Sequence, residues 1–162
     1  TNTINTGAKY SAIINGRNIE TNHIGETASG YNQYVGKKRQ GSTLSWQGET
    51  NDNTTYVNLT LDGSNQLVVP NNSSMHLVVA ITGVDMITKN TETSRIEILV
   101  RNNGGVLDVI ANSLTNITLG SCFTWNVAVN QTTKVLELKV LGDTNNTIIY
   151  QANTEVMQTV TW

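Results

Sequence analysis

The chain has very few residues of three types: one cysteine, one proline and one phenylalanine occur among 162 residues. The lone thiol of Cys122 excludes an intrachain disulfide framework. Its position between Ser121 and Phe123 favours a small buried side chain over a reactive thiol. The one proline, Pro70, can end a strand without removing a donor from a sheet.

Charge is also scarce, at 14% Lys, Arg, Asp and Glu, where globular proteins average about 25%. The formal net charge of −2 gives no basic surface, so we expect no nucleic-acid partner. No apolar run approaches the roughly 18 residues that span a bilayer, so no membrane insertion is expected. The abrupt start at Thr1 is expected for a piece cut from a longer chain.

Asparagine and threonine stand where charged residues would otherwise be. Threonine suits strands because its branched Cβ packs well on a pleated surface. Asparagine suits the turns between strands, because it tolerates left-handed backbone and bonds to neighbouring backbone groups. The composition therefore favours a β protein.

From Thr43 onward, apolar and polar residues alternate with a period of two in several segments. Leu136 and Leu138 share one face of a predicted strand, while Glu137 and Lys139 share the other, as in antiparallel sheets with one buried face. Turn residues recur at the spacing typical of a sandwich or barrel, and no window shows a helical stripe. We predict strands at residues 43–47, 54–61, 66–69, 75–84, 94–101, 106–111, 114–119, 124–130, 134–141, 147–151 and 155–162.

Residues 1–41 differ from the rest, because glycine punctuates them at short intervals. Two to four apolar or small residues precede each Gly or Asn-Gly, which favours short strands followed by tight turns. Coils of this size cannot bury their apolar side alone, but they can when they stack on each other or on neighbouring chains. The alternative is a flexible leader.

Several motifs resemble phage tail-fibre and appendage proteins. Gly-x-x-Tyr-Ser-x-Ile-Ile-x-Gly at 7–16 and Thr-Ala-Ser-Gly-Tyr at 27–31 look like their repeated coils, which are similar to the heads of trimeric autotransporter adhesins. Segments similar to the C-terminal head of the fibre family follow at 44–50, 59–64, 67–73, 95–97, 125–127 and 136–142. The resemblance implies a homotrimer on a virion, with the head at the distal end of a fibre. The ending, 148–162, is longer than the family pattern leads us to expect.

Histidine and cysteine form no recognisable catalytic or metal-binding pattern. His23 and His76 lack the ligand spacing of zinc sites, and Cys122 with His76 is the one conceivable nucleophile–base pairing. We therefore expect no metal, no cofactor and no catalytic residue.

Polysaccharide cleavage is an alternative, because many phage tail proteins degrade surface polysaccharide. It needs two carboxylates roughly 5–10 Å apart, and the candidates are Asp85 with Glu97 or Glu49 with Asp52. Such enzymes are usually built on long parallel β-helices, for which this chain is too short and too rich in hairpin turns. The sequence thus predicts a protein that is not an enzyme.

Binding is the remaining function, and lectin-like recognition needs an aromatic ring beside amide and carboxylate groups. Trp46, Trp125 and Trp162 are each more typical of a core, whereas Tyr56 lies on the polar face of its predicted strand. Binding in sandwiches concentrates at loop ends, which points to the turns at 102–105 and 143–146. The predicted ligand-binding residues are Tyr56, Asn102, Asn103, Asp143, Asn145 and Asn146.

The sequence as a whole predicts an all-β fragment, with a β-roll or stalk at 1–41 involved in trimerisation and an antiparallel, jelly-roll-like β-sandwich head at 42–162. The predicted function is a non-enzymatic attachment module of the virion, extracellular at the distal tail fibre. Its expected partners are two identical copies in a homotrimer, an upstream fibre shaft and a host glycan or protein receptor. The alternatives are a connector domain without a specific ligand and a polysaccharide-processing tailspike fragment.

Overall fold

A computed structural model describes residues 2–6, 11–17, 20–21, 25–31 and 39–160. These residues contain strands and no helix, so the predicted all-β class is confirmed. The same residues contain no helix that is long and apolar enough to cross a membrane. The strands are β1 (Thr3–Ile4), β2 (Ala12–Arg17), β3 (Glu20–Thr21), β4 (Thr27–Tyr31), β5 (Arg39–Thr50), β6 (Val57–Asn58), β7 (Leu67–Val68), β8 (Ser73–Asp85), β9 (Thr91–Asn103), β10 (Val106–Leu119), β11 (Thr124–Asn130), β12 (Val135–Leu141) and β13 (Ile148–Val160).

Most of these strands form two sheets in a sandwich-like arrangement. The larger sheet has seven strands in the order β10-β9-β8-β13-β5-β4-β2. Its neighbours are antiparallel except for β2 and β4, which run parallel. The smaller sheet has the order β11-β12-β6, with β7 also paired to β12. A separate parallel pair joins β1 to β3.

Strand β8 shows how the sequence creates the two faces of the larger sheet. Met75, Leu77 and Val79 are buried, while the intervening His76 and Val78 are only partly covered. We call the buried side of this sheet the inner face and the opposite side the outer face. Burying one such apolar side chain stabilises a fold by about 1.5–3 kcal/mol. The core between the sheets collects inner-face residues of β5, β8, β9, β12 and β13.

An aromatic pair closes one end of this core. The rings of Phe123 and Tyr150 meet edge to face, with centroids 5.3 Å apart and planes at 88°. Gly83 leaves space for both rings, since a Cβ there would lie 2.7 Å from Cδ1 of Phe123. Cys122 is buried beside them, as predicted, and burial raises the pKa of its thiol to about 11.

Some predicted strand limits are wrong. Residues 106–111 and 114–119 form one strand, β10, with a register shift between Ser113 and Thr115, because a bulge absorbs the extra residue without ending the strand. The strands predicted at 147–151 and 155–162 are likewise one strand, β13, over Ile148–Val160, where Thr154 is buried; residues 161–162, with Trp162, lie outside the described residues. The predicted strand at 54–61 shrinks to Val57–Asn58.

The predicted stalk is described only in part. Within the described residues, β4 pairs with β5 and β2 pairs with β4, so both extend the larger sheet. Strand β5 itself crosses the predicted boundary between residues 41 and 42. Much of the glycine-punctuated pattern lies outside the described residues, and the β-roll and the division into two domains stay predictions.

Candidate functional site

The six residues predicted to bind a ligand lie at three separate places. Asn102 and Asn103 end β9, where Asn102 is paired with Ser73 at the start of β8. Residues 143–146 precede β13, which begins opposite Asp85 at the far end of β8. Since β8 has 13 residues, these two ends lie about 40 Å apart at the usual rise of a strand. Tyr56 precedes β6 in the smaller sheet.

Three of these side chains make hydrogen bonds within the protein; one is Asp143, whose Oδ1 accepts from the amide of Thr144 at 2.7 Å. Asn102 is 2% exposed; its Nδ2 donates to the carbonyl of Val69 at 2.8 Å and its Oδ1 accepts from the amide of Gly105 at 3.0 Å. Asn146 Nδ2 donates to Oδ2 of Asp85 at 2.7 Å. These three side chains therefore stabilise turns.

Four of the predicted residues, Asn103, Asp143, Asn145 and Tyr56, are exposed. Exposure leaves them accessible, but the structure does not bring them together.

An open concavity lies on the outer face, where β5 and β13 meet the segment 57–63. Its cavity volume is about 750 Å³, within the usual range of roughly 300–1,000 Å³ for small-ligand sites. We call it the amide groove, because its polar lining includes Gln47, Asn58 and Gln151, together with Glu49 and Thr60.

Strand register places the two glutamines side by side. Gln151 on β13 is the pairing partner of Gln47 on β5, and Gln47 is bridged to Thr60 by backbone bonds of 2.9 and 3.0 Å. Both glutamines are exposed, and neither side chain makes a hydrogen bond to any residue that the structure describes. Their amides are thus available to a ligand.

Local sequence explains how the groove is built. Leu44 and Trp46 point into the core, so the alternate residues of β5, Gln47 among them, point outward. Gly48 lets the segment 57–63 approach, since a Cβ there would lie 2.6 Å from Cδ2 of Leu59.

A turn fixes the end of this segment. Oδ1 of Asp62 accepts from the amides of Asn65 and Ser64 at 2.6 and 3.0 Å. These bonds, led by the one from the Asn65 amide, lower the pKa of Asp62 to about 2. The carboxylate that holds the turn is therefore charged at neutral pH.

The groove carries a single exposed charge, Glu49. Among its lining residues there is no Lys, Arg or His. Lys139, the strand partner of Asn58, is outside the lining and lies 2.8 Å from Glu137. Tyr150 is among the lining residues, although its phenol lies in the core, where burial raises its pKa to about 12.

Two further depressions continue along the outer face, with volumes of about 560 and 590 Å³. Both include Val78 and Glu155. Val78 pairs with Glu97 on one side and with Glu155 on the other, so the two carboxylates are two strand spacings apart, about 9–10 Å at the backbone. Nε2 of His76 lies 2.6 Å from Oε1 of Glu97.

The carboxylate pairs weighed from sequence are not supported as sites. Asp85 is buried on the inner face, whereas Glu97 is on the outer face. Glu97 pairs with Val78, which is seven residues, or about 23 Å, from Asp85 along β8. Asp52 holds a turn by accepting from the amides of Thr54 and Thr55.

The nucleophile–base pairing considered from sequence is not formed either, because His76 is on the outer face and Cys122 is buried in the core. Within the described ranges, no three His, Cys, Asp or Glu side chains form a metal-binding group.

The sequence did not identify the amide groove. Its glutamines are far apart in the chain and meet only through the register of β5 and β13. The one available signal was alternation, which leaves Ser45, Gln47 and Glu49 on the polar side of a strand with Leu44 and Trp46. Tyr56 is 42% exposed and adjoins Val57 of the groove lining.

Neither known protein families nor curated proteins match this sequence. Among solved structures, the tailspike protein of Acinetobacter baumannii phage AM24 has a TM-score of 0.44 and 11% identity over 71% of this chain. Tailspike protein gp49 of Acinetobacter baumannii bacteriophage Fri1, a capsular polysaccharide depolymerase, has a TM-score of 0.40 and 15% identity over 74%. This chain spans 26% and 19% of those two proteins.

Proposed function

We propose that the chain is a virion attachment module of a phage tail appendage, and that it binds a host cell-surface glycan in the amide groove without cleaving it. The observation that carries this proposal is the pair of exposed amides, Gln47 and Gln151, held side by side on neighbouring strands. Sugar hydroxyls both donate and accept, and a primary amide offers two donors and an acceptor oxygen.

Rigidity of the groove supports the same function. Sites on strands are held more precisely than sites on loops, and a preformed site loses less entropy when it binds. Strand β13 pairs with β8 over its whole length and with β5 from Ile148 to Thr159, so the backbone of Gln151 is fixed on both sides. Tyr56, exposed next to Val57, offers an aromatic ring for a sugar.

Placement on a virion rests on the resemblance of residues 7–16 and 27–31 to tail-fibre coils. Self-association has support of its own, because β10 is an edge strand of the larger sheet with exposed apolar side chains. Ile117 and Leu119 are 71% and 81% exposed. Long apolar edges favour pairing with further chains, and residues 109–120 carry no charge, so identical copies would not repel each other there. The assembly that we propose is the homotrimer.

Two measurements on the whole chain test this function. Light scattering should give the mass of three chains at micromolar concentration. Labelled protein should bind cells of a strain that the phage infects, and purified surface polysaccharide of that strain should compete. A stable monomer, or cell binding unaffected by the polysaccharide, contradicts the proposal. A trimer that binds no cells would instead favour the connector domain.

Polysaccharide cleavage is a second candidate, favoured by one observation. Glu97 and Glu155 flank Val78 on the outer face at about 9–10 Å, near the separation of roughly 6.5–9.5 Å between the carboxylates of inverting glycosidases. Release of reducing ends from the bound polysaccharide, abolished by Glu97→Gln or Glu155→Gln, would favour cleavage over attachment alone.

A further inference from the structure

A row of uncharged polar side chains crosses the larger sheet and leads into the amide groove. Thr93 pairs with Thr82, Thr82 with Gln151, Gln151 with Gln47 and Gln47 with Thr60. All five residues occupy the outer face, and we call them the polar row. Four strand spacings separate its ends, about 19 Å.

The side chains of the polar row present both donors and acceptors. Oγ1 of Thr82 and Oγ1 of Thr93 lie 2.9 Å apart, and Oγ1 of Thr60 accepts from the amide of Gly63 at 3.1 Å, which leaves its hydroxyl proton available. A line of such groups at even spacing suits a ligand that repeats its hydroxyl groups along an extended chain.

The charged residues around the polar row disfavour acidic glycans. At the groove end, Glu49 is the single exposed charge and no cation lines the wall. A sugar carboxylate or sulfate placed there would meet a like charge without a compensating cation, which costs affinity and discriminates against such a ligand. Arg95, two residues from Thr93 on β9, is at the opposite end of the row.

We propose that the polar row binds a linear stretch of uncharged glycan, of neutral hexoses or N-acetylhexosamines, laid across the strands with one end in the amide groove. This assignment rests on the proposed attachment function and specifies its ligand class.

The experiment measures binding of two oligosaccharide sets to the whole chain by calorimetry. The neutral set is maltohexaose, mannohexaose and N-acetylchitohexaose, and the acidic set is oligosialic acid and hyaluronan oligomers. We expect binding within the neutral set, unchanged between 50 mM and 500 mM salt because no ion pair contributes. The double variant Gln47→Ala/Gln151→Ala should lose at least tenfold in affinity. Asn126→Ala, an exposed amide on β11 in the smaller sheet, is the matched control.

The outcomes separate the two proposals. Binding of the acidic set alone, or binding that weakens with salt, overturns the assignment of an uncharged ligand and leaves attachment standing. Neutral binding that the double glutamine variant does not reduce overturns the polar row as the site. Binding of neither set overturns the proposed glycan-binding function itself.

Discussion

The indole nitrogen of Trp46 donates a hydrogen bond to Oγ1 of Thr154 at 2.8 Å, and both residues are buried. This bond ties β5 to β13 on the inner face, beneath the outer-face pair Ser45 and Asn153. It also gives a polar partner to the largest fully buried side chain of the core, as buried indoles usually require.

Loss of that acceptor should destabilise the protein. In Thr154→Val the shape is kept but the Trp46 N–H is left without its partner, which typically costs about 1–3 kcal/mol. The free energy of unfolding in denaturant measures the change. Thr154→Ser keeps a hydroxyl and should recover most of it. Equal stability of the Val and Ser variants would show that the hydrogen bond contributes nothing.

Gly83 should not tolerate a side chain. A Cβ at this position would lie 2.7 Å from Cδ1 of Phe123 and 3.1 Å from Cε1 of Tyr150, and overpacking of this kind costs about 1–3 kcal/mol. Thermal and denaturant unfolding of Gly83→Ala measure it. Gly41→Ala is the control, since nothing lies within 3.9 Å of its Cβ; equal destabilisation by both would contradict the steric explanation.

Glu92 should make stability depend on acid pH. Burial opposes its charge, yet hydrogen bonds from Asn116, Cys122 and Ser121 together hold the pKa of Glu92 below its ordinary value of 4.5. Its contribution is therefore complete above pH 4.5 and is lost as the pH falls through the lower folded-state pKa.

Two measurements check this dependence. Carbon NMR titration should give a midpoint for the Glu92 carboxyl below 4.5, and the free energy of unfolding should fall below that pH. Glu92→Gln should flatten part of the slope. A carboxyl midpoint above 4.5 in the folded protein contradicts the prediction.

Tyr56 should contribute to glycan affinity through its ring. Tyr56→Ala removes an aromatic contact of about 0.5–1.5 kcal/mol, a loss of roughly two- to tenfold in affinity, while Tyr56→Phe should retain most binding. Calorimetry with the polysaccharide that competes for cell binding measures both. If the contact is instead at the loop ends predicted from sequence, Asn103→Ala or Asp143→Ala will reduce affinity and Tyr56→Ala will not.

Ile117→Lys should weaken self-association. It places a charge among the exposed apolar side chains of β10, and in a symmetric assembly of identical copies that charge is repeated in every copy. Light scattering over a concentration series should show at least a tenfold weaker association. Ile87→Lys is matched in exposure, at 63%, but sits in the β8–β9 turn and should assemble normally. Normal assembly of the Ile117 variant would exclude this edge as the contact.

Alternation of apolar and polar residues predicted the strands well where burial of the apolar face in the core determines the structure. Strand β12 was predicted at 134–141 and spans Val135–Leu141, because Leu136 and Leu138 need the core. The prediction failed where side chains bind the backbone: Asp52 accepts from the amides of Thr54 and Thr55 and removes them from strand pairing.

The candidate site was less predictable than the fold, because it depends on register between distant segments. Alternation could place Gln47 and Gln151 on polar faces, but it could not align them, since a shift of two residues in pairing keeps every face the same. Turn chemistry located the hairpin, but its turn is at Gly104 and Gly105, whereas Asn102 belongs to β9, and the sequence gave no sign that this amide is buried.

The position of β13 has a consequence for synthesis. This strand lies between β5 and β8 and supplies hydrogen bonds to both, although it follows the twelve other described strands. Until the ribosome has translated residues 148–160, the edges of β5 and β8 that pair with β13 remain unpaired in the nascent polypeptide and can form non-native strand pairs. Pairing over such long sequence separation is also slow. Chaperones that shield emerging chains should therefore raise the yield of native protein in the cell.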